Sequence, residues 1–310
     1  MNMQSPRKVY GETLVELGKK DERIVVLESD LGKSTMSNLF QLAYPERYFE
    51  MGIAEANMTS FAAGLSLTGK IAFTNSFAVF SSGRSYDQIR QSICTANLNV
   101  KINGSSAGLS DFGDGATHQA IEDIAIMRAI PNMTVLVPAD GMEVKKIVKY
   151  AVEHDGPVYI RISRSEMPDI LPEDMEFKIG MPQMLRDGKD ITVFACGVMV
   201  AKALTAAQEL EKLGISLRVV NVSSLKPLDE RAVKELVKGT KGVITAEEHT
   251  VIGGLTSAIS YILRSEGLPI EPVAIMDVFG QSAYNHDELL VAYGLTEKDI
   301  MKASEKILEK

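Results

Sequence analysis

The sequence predicts an α/β protein of two domains, each with a mostly parallel sheet flanked by helices. Short apolar runs alternate with segments of helical periodicity, which is the pattern of α/β proteins with parallel sheets. The 310 residues also suffice for two separate cores, and a proline-rich stretch without a clear period interrupts the alternation. We therefore predict a first domain over 1–170, a linker over 171–187 and a second domain over 188–310.

In the first domain, apolar runs and helical periods follow each other along the chain. The strands are predicted at 24–27, 71–74, 100–102, 134–137 and 158–162. The helices are predicted at 7–18, 54–67, 84–95, 118–129 and 141–153. Because ligands of open parallel sheets bind beyond the carboxyl ends of the strands, polar and aromatic residues that directly follow these strands are candidate site residues.

The second domain shows the same kind of alternation. Its strands are predicted at 191–195, 216–221, 242–246 and 272–276, and its helices at 199–213 and 296–308. The helix over 199–213 is strongly amphipathic and is followed by Gly214, a residue typical of helix ends. The sequence thus predicts a second α/β unit with its own core.

Charge and composition argue against several classes of protein. The net charge is −8 with a pI of about 5.2, and no Lys/Arg-rich run is present, so we expect no nucleic-acid partner. No apolar stretch is long enough to suggest a membrane span, and the N-terminus lacks an apolar signal region. The two cysteines, Cys94 and Cys196, lie among apolar residues and predict no disulfide. We expect a cytoplasmic protein without a membrane partner.

One carboxylate stands out at the start of a predicted helix. The sequence GIAEANM over 52–58 places Glu55 between an apolar strand end and a helix of small residues. An acidic residue in the first helical turn is ordinarily explained by the helix dipole and by capping of free N–H groups. The segment alone therefore decides little about function.

Further segments, taken in order with this one, resemble transketolase, specifically its pyrimidine-binding and C-terminal domains. The matching segments are 7–11, 27–35, 52–57, 75–80, 86–90, 114–119, 121–125, 137–140, 161–164, 225–229, 247–250 and 253–254. The resemblance is colinear and runs from about residue 6 to the end of the chain. It implies a fold with a thiamine-diphosphate-binding pyrimidine domain followed by a transketolase C-terminal domain.

The domain that holds the diphosphate of the cofactor in full-length transketolases has no counterpart in this resemblance. That domain carries a Gly-Asp-Gly motif followed further on by an Asn, and it binds a divalent metal. Gly113-Asp114-Gly115 has the same letters, but it lies in the substrate loop of the family and no Asn stands at the required distance. The chain therefore resembles the C-terminal subunit of a split transketolase. We expect an N-terminal partner subunit that binds Mg²⁺ or Ca²⁺, two copies of each chain in the assembly, and no metal ligand in this chain.

The resemblance implies cofactor contacts at four positions besides a catalytic role for His118. Thiamine diphosphate carries the difficult chemistry and the protein positions its rings. By resemblance, Glu55 is expected to bind the pyrimidine ring nitrogen as a catalytic residue, and Phe77 and Phe80 to pack around that ring. Asp30 is expected near the thiazolium side, although it could instead be the N-cap of a helix over 32–40.

The resemblance also implies a channel for sugar phosphate substrates. Arg7, Ser34 and Arg164 fall at positions that bind the phosphate, a task that suits the planar fork of arginine. Asp114 and His118 fall at positions that contact sugar hydroxyls, and a neutral imidazole there can also exchange protons with the reacting carbon.

One departure from the family pattern concerns substrate choice. Transketolases usually carry a His where this chain has Ser106, eight residues before Asp114. Ser106 keeps a hydroxyl for substrate binding but lacks a reaching imidazole, so a ketose or acceptor with another terminal group is an alternative to the usual pentose and hexose phosphates. The leading expectation is transfer of a two-carbon ketol unit from a ketose phosphate to an aldose phosphate, as in the pentose phosphate pathway.

Three other interpretations stay open at this point. A deoxyxylulose-phosphate-synthase-like enzyme would join pyruvate to a triose phosphate, but its substrate loop usually has an Arg where Ser106 stands. The beta chain of a 2-oxo-acid dehydrogenase shares the domain pair, and the segments 114–118 and 161–164 favour transketolase over it. A non-catalytic scaffold that kept the fold is disfavoured by Glu55 and His118.

Overall fold

The chain folds into two α/β units, each on its own sheet, as predicted. The computed structural model describes residues 2–309. Its strands are β1 (Met3–Gln4), β2 (Ile24–Glu28), β3 (Tyr48–Glu50), β4 (Ile71–Phe77), β5 (Val100–Ser105), β6 (Thr134–Leu136), β7 (Val158–Arg161), β8 (Met167–Pro168), β9 (Gln183–Arg186), β10 (Ile191–Ala195), β11 (Leu217–Asn221), β12 (Ser224–Lys226), β13 (Gly242–Thr250) and β14 (Ile270–Ile275). Its α-helices are α1 (Pro6–Gly18), α2 (Gly32–Thr35), α3 (Asn38–Ala43), α4 (Glu55–Leu67), α5 (Tyr86–Gln88), α6 (Asp123–Ala129), α7 (Gly141–Glu153), α8 (Met199–Lys212), α9 (Glu230–Leu236), α10 (Leu255–Leu263), α11 (His286–Ala292) and α12 (Glu297–Leu308).

The first sheet has the order β12-β6-β7-β5-β4-β2-β3. All neighbours pair in parallel except β12, a strand from the second half of the chain that runs antiparallel to β6. Every residue of β2, β4 and β5 is buried, because helices cover both faces of the sheet. The carboxyl ends of β2, β4 and β5 therefore lie side by side at one edge, where the predicted site residues follow them.

The second sheet has the order β14-β13-β10-β11-β9. Its strands are parallel except β9, which pairs antiparallel with β11 at the edge. Strand β9 lies inside the range 171–187 that we predicted as linker, so part of that range belongs to the second sheet. Its exposed and half-buried residues gave no apolar run from which a strand could be predicted.

The predicted helix over 84–95 is helical but irregular. Two π-helical turns, Phe80–Arg84 and Ile89–Cys94, flank the short helix α5. Such turns are rare and are frequently found at functional sites. The first of them carries both Phe80 and Arg84 at the edge of the sheet where ligands are expected.

The predicted helix over 118–129 begins later than expected, at Asp123. The residues before it are engaged elsewhere, because Ala120 forms an antiparallel bridge with Gly108 and its carbonyl accepts from the Gly108 N–H at 2.9 Å. His118 therefore lies before α6, in the irregular segment that follows a 3-10 turn.

Buried polar contacts join the substrate loop after β5 to the second unit. Glu248, from β13, accepts a hydrogen bond from the Leu109 N–H at 2.9 Å, and its Oε1 lies 2.6 Å from His286 Nε2. Burial opposes a charged imidazole, but the Glu248 carboxylate outweighs it and raises the pKa of His286. Arg161 adds a second link by donating to Asp123 at 2.9 Å and to the Glu248 carbonyl at 2.9 Å.

Cys94 and Cys196 are both buried free thiols, in agreement with the prediction. No helix within residues 2–309 is both long and apolar enough to cross a membrane. Over the same residues, no group of three or more His, Cys, Asp or Glu side chains is arranged to hold a metal ion.

Candidate active site

Glu55 is held at the site by the turn between β3 and α4. Gly52 in this turn has φ of +66°, a left-handed conformation that favours glycine, and its N–H donates to Glu50 Oε1 at 3.0 Å. The same oxygen accepts from the Asp30 N–H at 2.9 Å, so Glu50 joins the loops after β2 and β3. Glu55 is the first residue of α4 and is 4% exposed, as expected for a buried acid in a first helical turn.

Arg84 contacts both Glu55 and Phe80. Its Nη1 lies 2.9 Å from Glu55 Oε1, and its guanidinium carbon lies 3.9 Å from the centre of the Phe80 ring. The Arg84 side chain is half-exposed while the Glu55 side chain is buried. Sequence analysis did not single out Arg84, although its position four residues after Phe80 on a helical segment is a spacing at which side chains meet.

The two predicted phenylalanines and His118 form one aromatic cluster. The Phe77 and Phe80 rings are stacked, with centroids 6.0 Å apart and an angle of 18° between the planes. The His118 ring meets Phe80 edge-on at 5.2 Å and Phe77 at 6.2 Å. His118 Nδ1 lies 2.9 Å from Thr117 Oγ1, which leaves Nε2 as the ring nitrogen available to a ligand. We call Glu55, Phe77, Phe80, Arg84 and His118 the ring end of the site.

The ring end fits a flat heteroaromatic group. The planar Arg84 guanidinium donates to a buried carboxylate while it stacks on an aromatic face, which is the pair of contacts that a protonated or amino-substituted ring nitrogen requires. The Cα positions of Gly52 and Gly83 face open space, with no heavy atom within 4 Å of an added Cβ. Because Arg84 is half-exposed, its guanidinium can leave Glu55 without disturbing the core.

A second cluster consists of Arg7, Ser34, Asp111, Asp114 and Arg164, and we call it the charged end of the site. Arg164 Nη1 lies 2.7 Å from Asp111 Oδ1 and 3.8 Å from Asp114 Oδ2. Arg7 Nη1 donates to the Ser34 carbonyl at 2.5 Å, so Ser34 contributes a backbone oxygen here. The structure thus brings together the predicted residues Arg7, Ser34, Asp114 and Arg164, and it adds Asp111, which sequence analysis did not single out.

The charges of the two arginines and Asp111 influence one another. Burial and the neighbouring Arg164 lower the pKa of Arg7, while Asp111 raises it in part. Burial raises the pKa of Asp111 to about 6 even though Arg164 opposes the shift. Asp111 also interacts electrostatically with His118, so the charged end and the ring end adjoin.

Two predicted site residues are placed differently from the others. Ser106 is fully buried with φ of +53°, and its hydroxyl has no hydrogen-bond partner within residues 2–309. Asp30 is exposed with φ of +60° and does not cap a helix, because α2 begins at Gly32 with Leu31 at the N-cap position. The N-cap alternative for Asp30 is therefore wrong, since its left-handed backbone and the Glu50 contact turn the chain before the helix starts.

Buried polar groups support the site from below. Tyr10 donates from its hydroxyl to Asn75 Oδ1 at 2.6 Å, and Asn103 donates to the same oxygen at 3.1 Å. Glu28 accepts from the hydroxyls of Thr35 at 2.7 Å and Ser37 at 2.6 Å, which anchors the segment that carries Ser34. Burial raises the pKa of Glu28 to about 7. A hint of this layer was available in the sequence, since Asn75 and Asn103 directly follow the predicted strands over 71–74 and 100–102.

Comparison with protein families defines the class of this site. Residues 2–169 match the family model of the transketolase pyrimidine binding domain, and residues 180–300 match that of the transketolase C-terminal domain. The first match contains every residue of both the ring end and the charged end. The fold is that of two consecutive transketolase domains.

Individual relatives show which part of a transketolase the chain corresponds to. The chain is 45% identical over 300 residues to a transketolase C-terminal section of Methanocaldococcus jannaschii, covering 96% of this chain and 94% of the relative. It is 42% identical to the 6-deoxy-6-sulfo-D-fructose transketolase subunit of a Clostridium species, covering 98% and 94%. A solved split-gene transketolase, described as an inactive beta4 tetramer, has 48% identity and a TM-score of 0.90, with 99% of both chains covered. The chain belongs to the transketolase family, as the C-terminal subunit of a split transketolase.

Proposed function

We propose that this chain is the ring-binding subunit of a thiamine-diphosphate-dependent transketolase that moves a two-carbon ketol unit from a ketose phosphate to an aldose phosphate. The observation that carries the proposal is the ring end, where the buried Glu55 carboxylate adjoins the Phe80 face and His118. Thiamine diphosphate is the cofactor of the transketolase family, and its aminopyrimidine has the flat shape and the ring nitrogen that these residues fit.

The residues of the ring end would each have a distinct task. When bound, thiamine diphosphate supplies an acidic ring carbon that serves as the nucleophile. Once Arg84 has moved away from Glu55, the Glu55 carboxyl would hold a proton at the pyrimidine ring nitrogen. The burial of Glu55 keeps water from competing for that contact. Phe77 and Phe80 would orient the ring, since a flat face fixes a flat group at low entropic cost. Asp30 would lie towards the thiazolium side.

Substrate contacts would come from the loops above the cofactor ring. His118 is edge-on to both phenylalanine rings, so its Nε2 can exchange a proton with a hydroxyl of the reacting sugar. Asp114, half-exposed beside Arg164, can accept from a second hydroxyl. Arg7 and Arg164 would bind the far terminus of the sugar, beside Ser34, whose carbonyl Arg7 contacts. Ser106, in the segment after β5, stays a predicted substrate contact.

The proposal includes a separate N-terminal partner subunit. That subunit would hold the diphosphate through Mg²⁺ or Ca²⁺, and two copies of each chain would form a heterotetramer in the cytoplasm. Support comes from its relatives: the M. jannaschii protein, of which the chain covers 94%, is described as a transketolase C-terminal section, and the Clostridium protein as a transketolase subunit. The chain spans 49% of mouse transketolase, to which it is 35% identical. The description of the split-gene relative as an inactive tetramer of one chain type agrees with a need for a partner.

Reconstitution with and without the partner tests this proposal. We expect the purified chain alone to self-associate but to show negligible turnover with thiamine diphosphate, and the mixture with its N-terminal partner to transfer ketol units from xylulose 5-phosphate. Pyruvate decarboxylation by the same mixture would instead favour the relationship to 1-deoxy-D-xylulose-5-phosphate synthase, to which the chain is 34% identical over 97% of its length. Full transfer activity of the lone chain would reject the split arrangement.

A second candidate is a transketolase for a less common ketose. The buried Ser106, in place of the usual His, favours it. So do two relatives that are parts of specialised enzymes. One is the 6-deoxy-6-sulfo-D-fructose transketolase subunit, and the other belongs to the apulose-4-phosphate transketolase of Phocaeicola vulgatus and is 34% identical over the full chain. A screen of ketose donors with different terminal groups on the reconstituted complex separates this candidate from the leading one.

A further inference from the structure

The charged end contains a buried acid that a simple phosphate site does not need. Asp111 is fully buried, and its Oδ1 lies 2.7 Å from Arg164 Nη1. The Arg164 backbone N–H also donates to Ser110 Oγ at 3.0 Å, so the arginine is tied to the substrate loop by its backbone and its side chain. Asp111 therefore occupies one of the donor positions with which Arg164 could otherwise bind an anion.

Two buried polar atoms of opposite character lack partners at this end of the site. Asp111 Oδ2, an acceptor, and Arg7 Nε, a donor, have no hydrogen-bond partner within residues 2–309, although burial, helped by the neighbouring Asp114 carboxylate, raises the pKa of Asp111. Buried polar groups are rarely left unpaired, and a role in binding a ligand is a common reason when they are. A ligand that satisfies both atoms must accept from Arg7 and also donate to Asp111. A fully deprotonated phosphate or sulfonate has acceptors only, so the donor must be a hydroxyl of the sugar.

The balance of charge points the same way. Arg7 and Arg164 supply two cations, and the buried Asp111 carboxylate cancels one of them, while the half-exposed Asp114 weakens the remainder. A phosphate monoester carries close to two negative charges near neutral pH. Such a group would bind next to the buried Asp111 carboxylate, and repulsion between like charges opposes its binding there.

We propose that Asp111 is a specificity-determining residue, which makes the charged end prefer a substrate terminus with at most one negative charge and a neighbouring hydroxyl over a phosphate dianion. The inference rests on the proposed ketol transfer, favours its second candidate, a transketolase for a less common ketose, over transfer between sugar phosphates, and names the substrate class of that same site. A sulfonated or an uncharged hydroxylated terminus has the favoured chemistry.

The test compares substrates that differ only at the far carbon. The reconstituted complex is given aldose acceptors of equal length that end in a phosphate, a sulfonate or a hydroxyl, and kcat/KM is measured for each at pH 7.5. We expect the wild type to prefer the sulfonate or the hydroxyl, and Asp111→Asn to raise the ratio of kcat/KM for phosphate over sulfonate at least about tenfold. A wild type that prefers the phosphate, or a ratio that Asp111→Asn changes less than twofold, overturns the inference.

The matched control is Asp187→Asn, which removes the same charge from an exposed carboxylate paired with Arg218 in the second unit. Its ratio should equal that of the wild type, so a shift there would assign the effect to net charge and overturn the inference. Because Asp111 is buried, its variant could fail to fold. In that case Asp111→Ser, which shortens the side chain and removes the carboxylate, is judged by the same ratio, and the wild-type preference remains decisive by itself.

A binding measurement separates this inference from the proposed function. Inorganic phosphate is titrated into the full-length chain, wild type and Asp111→Asn, and saturation is followed by the shift in Tm. Stronger binding of phosphate to the variant, without ketol transfer in any mixture, supports the specificity role and rejects the proposed function. Ketol transfer with unchanged substrate ratios and unchanged phosphate binding supports the proposed function and rejects the specificity role of Asp111.

Discussion

The ring end and the charged end of the candidate site differ in how their charges are compensated. At the ring end, the partner of the buried Glu55 is Arg84, a half-exposed side chain that can move away. At the charged end, the buried acid is Asp111, and the side chain of its partner Arg164 is 35% exposed. Both ends therefore pair a buried acid with a more exposed arginine, but Arg84 is the more exposed of the two arginines, and Arg164 is also held by its backbone N–H, which donates to Ser110 Oγ. We therefore expect Arg84 to leave Glu55 when a ligand binds, and Arg164 to stay beside Asp111.

The largest expected effect tests the ring end directly. We expect Glu55→Gln to lower kcat/KM of the reconstituted complex by about 10²–10⁴, because the amide cannot hold the proton that the cofactor ring requires. The measurement is ketol transfer at saturating cofactor, with the Tm recorded beside it. If Glu55→Gln retains activity, Glu55 is an ordinary buried residue of the first helical turn, and the comparison between the ring end and the charged end fails.

A smaller effect is expected from the removable cation. In Arg84→Met, the ion pair between the half-exposed Arg84 and the buried Glu55 is lost together with the cation–π contact to Phe80, and we take the two contacts together as worth about 1 kcal/mol. We therefore expect the Kd of thiamine diphosphate for the complex to fall about three- to tenfold, measured by titration of cofactor-dependent activity or fluorescence. The control is Arg264→Met, which removes a cation at 4.2 Å from the Tyr261 ring on the second unit. Weaker cofactor binding in Arg84→Met would mean that Arg84 holds the ligand instead of giving way to it.

A further prediction concerns how the free energy of unfolding depends on pH, because the buried Glu28 anchors the segment that carries Ser34 of the charged end. The pKa of Glu28 is raised to about 7 by burial, so the folded chain binds a proton more tightly than the unfolded chain. The free energy of unfolding contributed by Glu28 should therefore decrease as pH rises from about 4.5 to 7, by up to about 1.4 kcal/mol per pH unit. Glu28→Gln should lack this contribution, which is measured as the difference in urea unfolding between the variant and the wild type across pH 5–8.

The control for this series is Glu305→Gln, which removes an exposed carboxylate from α12. If the free energy of unfolding depends on pH identically in the wild type and in Glu28→Gln, burial does not raise the pKa of Glu28. Glu143, whose pKa burial also raises to about 7, lies where the two units meet and should behave like Glu28.

The smallest expected effect is a loss of stability that leaves both ends of the site unchanged. Thr296 and Asp299 cap α12 reciprocally, far along the chain from the site. We expect Thr296→Val to lower the free energy of unfolding by about 1 kcal/mol and to leave cofactor Kd and substrate ratios unchanged. If this variant also altered substrate ratios, the shifts at Asp111 could not be separated from a general loss of stability.

Much of the ring end could be predicted from the sequence. The resemblance supplied Glu55, Phe77, Phe80 and His118, and the structure brings them together with Arg84. Their segments directly follow buried strands or begin a helix, so the rule that ligands bind at strand ends places them at one edge. Arg84 was missed because a cation in a helical segment is usually solvated, and nothing local shows that Glu55 faces it.

The charged end was less accessible to prediction. Asp111 stands in a loop of Gly, Ser and Asp residues, where an acid is most simply a turn residue. The late start of α6 at Asp123 was also missed, because the bridge between Gly108 and Ala120 is a non-local contact that overrides the helical period. The edge strand β9 within 171–187 has the same explanation, since its partner β11 comes later in the chain.

The sequence by itself determined the fold class, most strand and helix positions, the family and the acid of the ring end, because periodicity and colinear motifs are local properties. The tertiary structure alone decided that Arg84 contacts Glu55 and that Asp111 lies buried against Arg164. Each of these contacts joins residues 29 or 53 positions apart. Burial and pairing of charges depend on which loops the sheet brings together, and no local pattern records that.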